Sequence, residues 1–261
     1  NEQDNTPMYQ NFKGLSLYSS IFHHNILDFY YDALKINLAE ESLSRYQSTN
    51  ARQNIDSLFS IKYVMLKKYQ NNIPTYFKKV KSSGQYDIYE NQLNLPSVKV
   101  TNNLYNSQSL KTPIDREHAM LKGAIVDSNG KDFNSQSKNL LKHARITTKN
   151  IKSKGNNQLE VKNNIGTVNI HIPKKIRKQY QDFYITLYIK RGNPDSNYTV
   201  NVNNYFNNRL YNNSVYKTRI NTQLYRTQPD KNGNISIKLS PNGGFKFKLL
   251  NLSGENYKTL K

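Results

Sequence analysis

Two short stretches, Asn234-Ile-Ser-Ile-Lys-Leu239 and Phe245-Lys-Phe-Lys-Leu249, decide the fold class. In each, apolar and polar residues alternate with a period of two, so an extended strand shows one apolar and one wet face. Comparable runs occur at 158–163, 166–173, 183–190, 198–202 and 215–220. Lys231-Asn232-Gly233 and Asn242-Gly243-Gly244 separate strands with the residues that tight turns require. Many short strands joined by such turns close into two packed antiparallel sheets. The pattern predicts an all-β, jelly-roll-like antiparallel sandwich over residues 151–261.

Upstream the texture differs. The Lys- and Asn-rich stretch 149–157 reads as the boundary, and residues 1–150 read as an α+β part. Between residues 19 and 38 apolar and aromatic residues are dense, with no Gly or Pro, which favours a helix. A second short helix is expected over 50–59, and a third near 113–121, where Pro113 suits a first helical turn. Ile61-Lys-Tyr-Val-Met-Leu66 reads as a buried strand, and 98–104 as another. Strands at 76–81 and 86–89 flank a Ser82-Ser83-Gly84 turn, and Ala124-Ile125-Val126 is a further short strand.

The charge narrows the function classes. Among 261 residues there are 38 Lys and Arg against 18 Asp and Glu, a formal net charge of +20. Nucleic acid, anionic lipid and anionic wall polymer are the partners that such a field attracts. Asn, Lys, Ile and Tyr together are also what an AT-rich coding sequence supplies. That bias accounts for Lys over Arg but not for the scarcity of acids. The basic residues are spread along the chain and form no zinc-finger, helix-turn-helix or RNP-type pattern, so no specific nucleic-acid partner is expected. The absence of Cys removes disulfide frameworks, thiolate metal sites and cysteine nucleophiles. No run approaches the roughly 18 apolar residues of a membrane-spanning helix. No apolar segment follows a basic start, so no signal peptide is expected. Asn1 and Lys261 lack the look of natural termini, and the chain reads as part of a longer protein.

No catalytic constellation emerges. His23 and His24 are adjacent and would point about 100° apart on a helix, so they cannot share one metal ion. His118, His143 and His171 are isolated. Asp127-Ser-Asn-Gly-Lys-Asp132 and Asp230-Lys-Asn-Gly233 lack the length and closing Glu of a calcium loop, and read as turns. Neither a metal nor a cofactor is expected. The 20 tyrosines suggest sugar stacking, with Tyr198, Tyr205, Tyr211, Tyr216 and Tyr225 beside Asn203, Asn204 and Arg209 in the β part.

An ordered series of segments resembles the extracytoplasmic domain of the YfhO family of bacterial membrane proteins. They are Gly14-Leu-Ser-Leu-Tyr-Ser-Ser20, Ile55-Asp-Ser-Leu-Phe-Ser-Ile-Lys-Tyr-Val64, Tyr86-Asp-Ile-Tyr-Glu-Asn91 with Leu95-Pro96, Arg116-Glu-His-Ala-Met-Leu-Lys-Gly123, Tyr198-Thr-Val-Asn-Val-Asn203 and Gly254-Glu-Asn-Tyr257. The resemblance implies a polytopic parent of GT-C-like glycosyltransferase architecture, with this chain as a loop domain on the extracellular face of the cell membrane. It implies transfer of a hexosyl or N-acetylhexosaminyl group, N-acetylglucosamine above all, from an undecaprenyl-phosphate-linked sugar to teichoic acid. In such architectures the catalytic carboxylate lies in an early loop next to the membrane, outside these residues. No catalytic residue is therefore carried over, and the isolated chain is not expected to act alone.

Three readings follow, beside a soluble hydrolase for which no catalytic constellation is visible. The first is acceptor handling or scaffolding in a membrane glycosyltransferase, with teichoic acid and an anionic membrane surface as partners. The second is a non-catalytic carbohydrate-binding sandwich, and the third a charge-driven nucleic-acid binder. Candidate acceptor contacts, chosen by charge and aromatic type, are Lys78, Lys79, Lys81, Lys174, Lys175, Arg177, Lys178, Tyr205, Arg209 and Tyr211. The groove between the two parts and the membrane-facing ends of the chain are the expected places for a site.

Overall fold

The computed structural model describes residues 5–9, 11–15, 17–19, 21, 23–36, 45–46, 49–135, 137–153, 158–161, 164–190, 198–203, 206–210, 222–240 and 246–257. The N-terminal part begins with α1 (Thr6–Tyr9), β1 (Leu17–Tyr18) and α2 (His24–Leu27). His23 caps α2, its Nδ1 accepting the Asn25 N–H at 3.3 Å. The helix expected over 19–38 is shorter, and after Leu27 it widens into a π-turn, Asp28–Ala33. That turn places Tyr30 and Tyr31 with Leu27, Leu34, Ile36 and Ile55 in one small apolar cluster.

β2 (Arg45–Tyr46) pairs with β1, and α3 (Gln53–Leu58) follows. β3 (Tyr63–Lys67), β4 (Phe77–Ser83) and β5 (Tyr86–Asn91) form an antiparallel sheet in the order β3-β5-β4. The buried strand expected at 61–66 is corrected on both counts. It starts at Tyr63, and Tyr63 and Met65 are half exposed, 52% and 50%, because nothing among the described residues covers that face. The strand expected over 98–104 is also corrected. Val98 and Val100 are exposed, and β6 (Leu104–Asn106) begins only where a parallel partner, β7 (Ala124–Val126), lies alongside. Between them runs α4 (Pro113–Lys122). Its start is set by Pro113 and a capping box, Thr112 Oγ1 accepting the Asp115 N–H while Asp115 accepts the Thr112 N–H, both at 3.1 Å.

The remaining strands are β8 (Arg145–Lys149), β9 (Ile151–Ser153), β10 (Gln158–Val161), β11 (Gly166–His171), β12 (Asp182–Lys190), β13 (Tyr198–Val202), β14 (Phe206–Leu210), β15 (Thr222–Thr227), β16 (Asn234–Leu239) and β17 (Lys246–Glu255). The one helix described among them is α5 (Lys174–Arg177). The strands make two five-stranded antiparallel sheets, β15-β12-β17-β10-β9 and β14-β13-β16-β11-β8. From β10 to β17 the chain alternates between sheets except at the β13–β14 hairpin. The resulting order, 15-12-17-10 facing 14-13-16-11, is that of a jelly roll. β8 and β9 extend one edge of each sheet. The chain crosses between them at Asn150 (φ +56°), so the sandwich takes in residues 145–149. The run expected at 215–220 lies outside the described residues.

The sheets bury a single apolar cluster built from the inward-facing half of the alternation. Val168, Ile170, Ile185, Leu187, Val200, Val202, Ile235 and Ile237 are all fully buried in it. Burying such side chains contributes roughly 1.5–3 kcal/mol each. The outer face of β12 and β15 is also covered, because Ile114 of α4 packs on Tyr184 and Leu224.

Candidate functional site

The boundary between the two parts is packed, not open. Asp182 of β12 and Arg226 of β15 face out of the sandwich into the N-terminal part. Arg226 Nη2 donates to Asp182 Oδ1 (2.8 Å) and to Thr75 Oγ1 (3.0 Å), and Nη1 to the Ile73 carbonyl (2.9 Å) and Asn72 Oδ1 (3.1 Å). Asp182 Oδ2 accepts from the Tyr257 hydroxyl (2.7 Å) and the Thr75 hydroxyl (2.6 Å). Burial depresses the Arg226 pKa, but Asp182 more than offsets this and holds it above the usual value. Burial, then the neighbouring carboxylates, raises the pKa of Tyr184 and Tyr257, so both hydroxyls stay protonated and can donate.

A second pair lies deeper. The fully buried Arg52 guanidinium forks onto Glu117 Oε1, by Nε at 2.9 Å and by Nη2, while Nη1 donates to the Leu34 carbonyl (2.5 Å). His118 Nε2 meets Glu255 Oε2 at 2.8 Å. Burial lowers the His118 pKa, and the Glu255 carboxylate reverses the effect to a net rise. Asp56 is pushed up to about 7, chiefly by burial, with the Thr49 hydroxyl bond acting against the shift. The segments that carry the family resemblance supply Asp56, Asn91, Glu117, His118, Glu255 and Tyr257. Of these, His118 and Glu255 pair across the two parts and Tyr257 meets Tyr76 edge-on at 5.7 Å, while Asp56, Asn91 and Glu117 bond within the N-terminal part.

The predicted lysines fall into two separate places. Lys78, Lys79 and Lys81 are exposed on β4, the edge of the three-stranded sheet. Lys79 Nζ pairs with Asp87 Oδ2 at 2.8 Å, and that bond with the Ser82 hydroxyl holds the Asp87 carboxyl below the usual range. Lysines on an edge strand also block pairing with another chain.

Lys174, Lys175, Arg177 and Lys178 sit on and just after α5, at one end of the sandwich. The three lysines are exposed and Arg177 is half-buried. Arg177 Nη1 donates to the carbonyls of Asp230 (3.4 Å) and Lys231 (3.2 Å), and its Nε is buried with no hydrogen-bond partner. Gly233 makes this possible. It sits at φ +89°, and a Cβ there would lie 2.9 Å from Arg177 Nε. Asp230 anchors the turn by accepting the Asn234 N–H at 2.8 Å, the turn role expected for Asp230-Lys-Asn-Gly233.

Beside Arg177 lies a shallow cleft of about 290 Å³, lined by Arg177, Tyr180, Gln181, Phe183, Gln228 and Pro229. Tyr180 lies against Gly254, where a Cβ would come within 2.4 Å of the ring, and meets Phe183 edge-on at 5.8 Å. Gln228 Nε2 donates to Asp182 Oδ1 (3.0 Å) and Thr75 Oγ1 (3.2 Å), tying the cleft to the buried boundary. A guanidinium, an aromatic ring and amide groups suit a sugar-bearing or phosphate-bearing ligand. Among the described residues no group of three or more His, Asp or Glu side chains is placed to hold a metal.

The tyrosine expectations fare differently. Tyr205 and Tyr211 lie outside the described residues, and Arg209 is placed only by register, opposite Thr199. Tyr225, expected in a sugar surface, is fully buried in the sandwich core, because β15 is covered on both faces. Asn203 is likewise corrected. Its amide is spent on the backbone, donating to the Gln228 carbonyl and accepting the Ser236 N–H, both at 2.7 Å. Tyr180, the ring that does line the cleft, was missed. Its only sequence signal is its place two residues after the basic run, in Lys178-Gln-Tyr180.

The family described as bacterial membrane protein YfhO matches residues 1–261. The protein YfhO of Bacillus subtilis (strain 168) is 38% identical over 264 residues. The chain belongs to the YfhO family. The alignment covers 99% of this YfhO-family chain and 30% of the Bacillus protein, so the chain spans under a third of that relative. Membership makes it a domain of a bacterial membrane protein family. Among the described residues no helix is long and apolar enough to cross a membrane. Two solved structures show faint likeness. An exo-β-1,3-galactanase from Phanerochaete chrysosporium, solved with β-1,3-galactotriose, aligns at TM-score 0.26 and 16% identity over 47% of this chain and 29% of its own. The insecticidal crystal protein Cry2Aa aligns at 0.25 and 15% over 51% and 24%. At such scores neither carries an argument about the YfhO-family domain.

Proposed function

We propose that this chain is the extracytoplasmic domain of a membrane glycosyltransferase and that it holds the anionic acceptor, teichoic acid, at the Arg177–Tyr180 cleft. The parent would draw its sugar from an undecaprenyl-phosphate carrier and supply the catalytic groups from other segments. The observation behind this reading is the cleft itself, lined by Arg177, Tyr180, Phe183 and two glutamines. Exposed Lys174, Lys175 and Lys178 lie on and just after the same short helix as Arg177. Lysines act as point charges on phosphate, giving loose and repeatable contact along a polymer. That suits a domain that must release and rebind its acceptor.

The test is a titration with purified lipoteichoic acid at about 50 and 200 mM salt, with duplex DNA as control. The expected result is preference for lipoteichoic acid, steep weakening with salt, and loss of the preference in Arg177→Ala. Equal binding to DNA, or an unchanged Arg177→Ala, sinks the assignment. A second reading is a neutral-sugar module, favoured by the Tyr180 ring seated on Gly254. Binding of an uncharged glycan that survives high salt would select it.

A further inference from the structure

The β3-β5-β4 sheet presents a face that the acceptor reading leaves unused. Strand register sets three rows across it. Lys78 lies opposite Glu90 and Tyr63, Lys81 opposite Ile88 and Met65, and Ser83 opposite Tyr86 and Lys67. Residues directly opposite share a face, and the Tyr63 hydroxyl donating to Glu90 at 3.2 Å is consistent with this. The centre of the face is thus apolar and open, with Tyr63 and Met65 half exposed. Its rim is cationic.

At the tip beyond β3 stands Tyr69, 78% exposed, with the Lys67 ammonium 5.9 Å from its ring centroid. The Lys62 ammonium is 5.3 Å from the Tyr63 ring. Between residues 62 and 91 there are six lysines and two acids, Asp87 and Glu90. Asp87 is taken by Lys79, and Glu90 by Tyr63.

The sheet is held firmly at its base. Gln53 Nε2 donates to Asn91 Oδ1 (2.8 Å), Asn91 Nδ2 to the Ile61 carbonyl (2.9 Å), and Arg226 clamps residues 72–75. These bonds anchor the base of the sheet, and the exposed Tyr63 and Met65 mark its open face.

We propose that this face lies against an anionic lipid headgroup surface. Tyrosine rings and a methionine are at home at the boundary between headgroups and acyl chains, and lysine stems can lie along that boundary with the ammonium in the phosphate layer. Clustered lysines near an anionic leaflet strengthen such contact through the surface potential. A second copy of this chain is disfavoured, since stacking two such faces sets lysine on lysine. The inference rests on membership of a membrane protein family and on this face, and not on the acceptor reading.

Its test uses the purified chain with phosphatidylglycerol-containing vesicles and with phosphatidylcholine vesicles. Co-sedimentation with the anionic vesicles, weakening with salt, is expected. Tyr63→Ser with Met65→Ser, and separately Lys78→Glu with Lys81→Glu, should each lower vesicle affinity about tenfold or more. Lys174→Glu with Lys175→Glu should leave it within about twofold, since those charges sit elsewhere. The chain has no tryptophan, so Met65→Trp provides a unique reporter whose emission should shift to the blue on anionic vesicles. An unshifted emission, equal binding by the sheet variants, or loss of binding through the α5 variant alone overturns the proposal. So does association that requires the membrane-spanning remainder of the parent instead of lipid. Failure of the lipoteichoic acid titration touches none of these readouts.

Discussion

The sandwich and the N-terminal part are held by different physics. The sandwich closes on one continuous apolar cluster from β10 to β17. The N-terminal part has two small apolar clusters, around Tyr30 and around Tyr105, and buries Thr49, Arg52, Gln53, Asn54, Asp56, Ser57, Asp115 and Glu117 beside them. In the sandwich the buried polar side chains gather on β12, β15 and β17, and Asp182, Arg226 and Glu255 among them bond across to the N-terminal part. Apolar packing is non-directional and tolerates local change. A buried ion pair demands every partner, because a lone buried charge is costly. The comparison teaches that the sandwich is built on apolar packing, and that directional bonds, with the Ile114 contact on Tyr184 and Leu224, orient the N-terminal part on it.

The strongest way to break this comparison is Arg226→Ala. It strips Asp182 of its cation and frees residues 72–75, and should cost about 3–5 kcal/mol in urea unfolding. Amide exchange should show N-terminal amides losing protection while those of β13 and β16 keep theirs. A cost below about 1 kcal/mol would mean that apolar contact alone joins the parts. Next comes Ile237→Ala in the sandwich core, at about 2–4 kcal/mol. Here the β13 and β16 amides should be the ones to suffer.

A further test separates charge from packing through pH. Asp56 rises from 3.8 unfolded to about 7 folded, so the folded state holds its proton longer. Its contribution to stability is complete below pH 3.8 and is lost as the pH climbs to about 7. Asp56→Asn keeps an acceptor for the Thr49 hydroxyl and should remove that slope, raising the urea midpoint above pH 7. An unchanged slope would place the effect elsewhere. The smallest change expected is Thr112→Ala, about 1 kcal/mol from the lost α4 cap, with the sandwich amides untouched.

What was legible follows the same division. β13 and β16 match the sequence expectation residue for residue, because each has one buried and one wetter face. β15 gave no alternation, since Gln223 to Thr227 are buried on both faces. The sequence leaves β8 in the α+β part, because all five of its residues are exposed at a sheet edge. Among the site candidates, Arg177 and its lysines were legible as a basic run. The cleft beside them was not, because Gln228 and Pro229 arrive from the far end of β15.

The sequence by itself determined the sandwich, the cationic charge and the family, since alternation, composition and ordered motifs are local or additive properties. Only the tertiary structure decided which charges do what. It buried Arg226 and Arg52 against acids far away in the chain, and placed Arg177 over Gly233 beside Tyr180. It also left Tyr63 and Met65 in the open, ringed by lysines. A lysine or arginine reads the same in a sequence whether its partner is solvent, a carboxylate or a ligand. The pairing that distinguishes them depends on distances that only the folded chain sets.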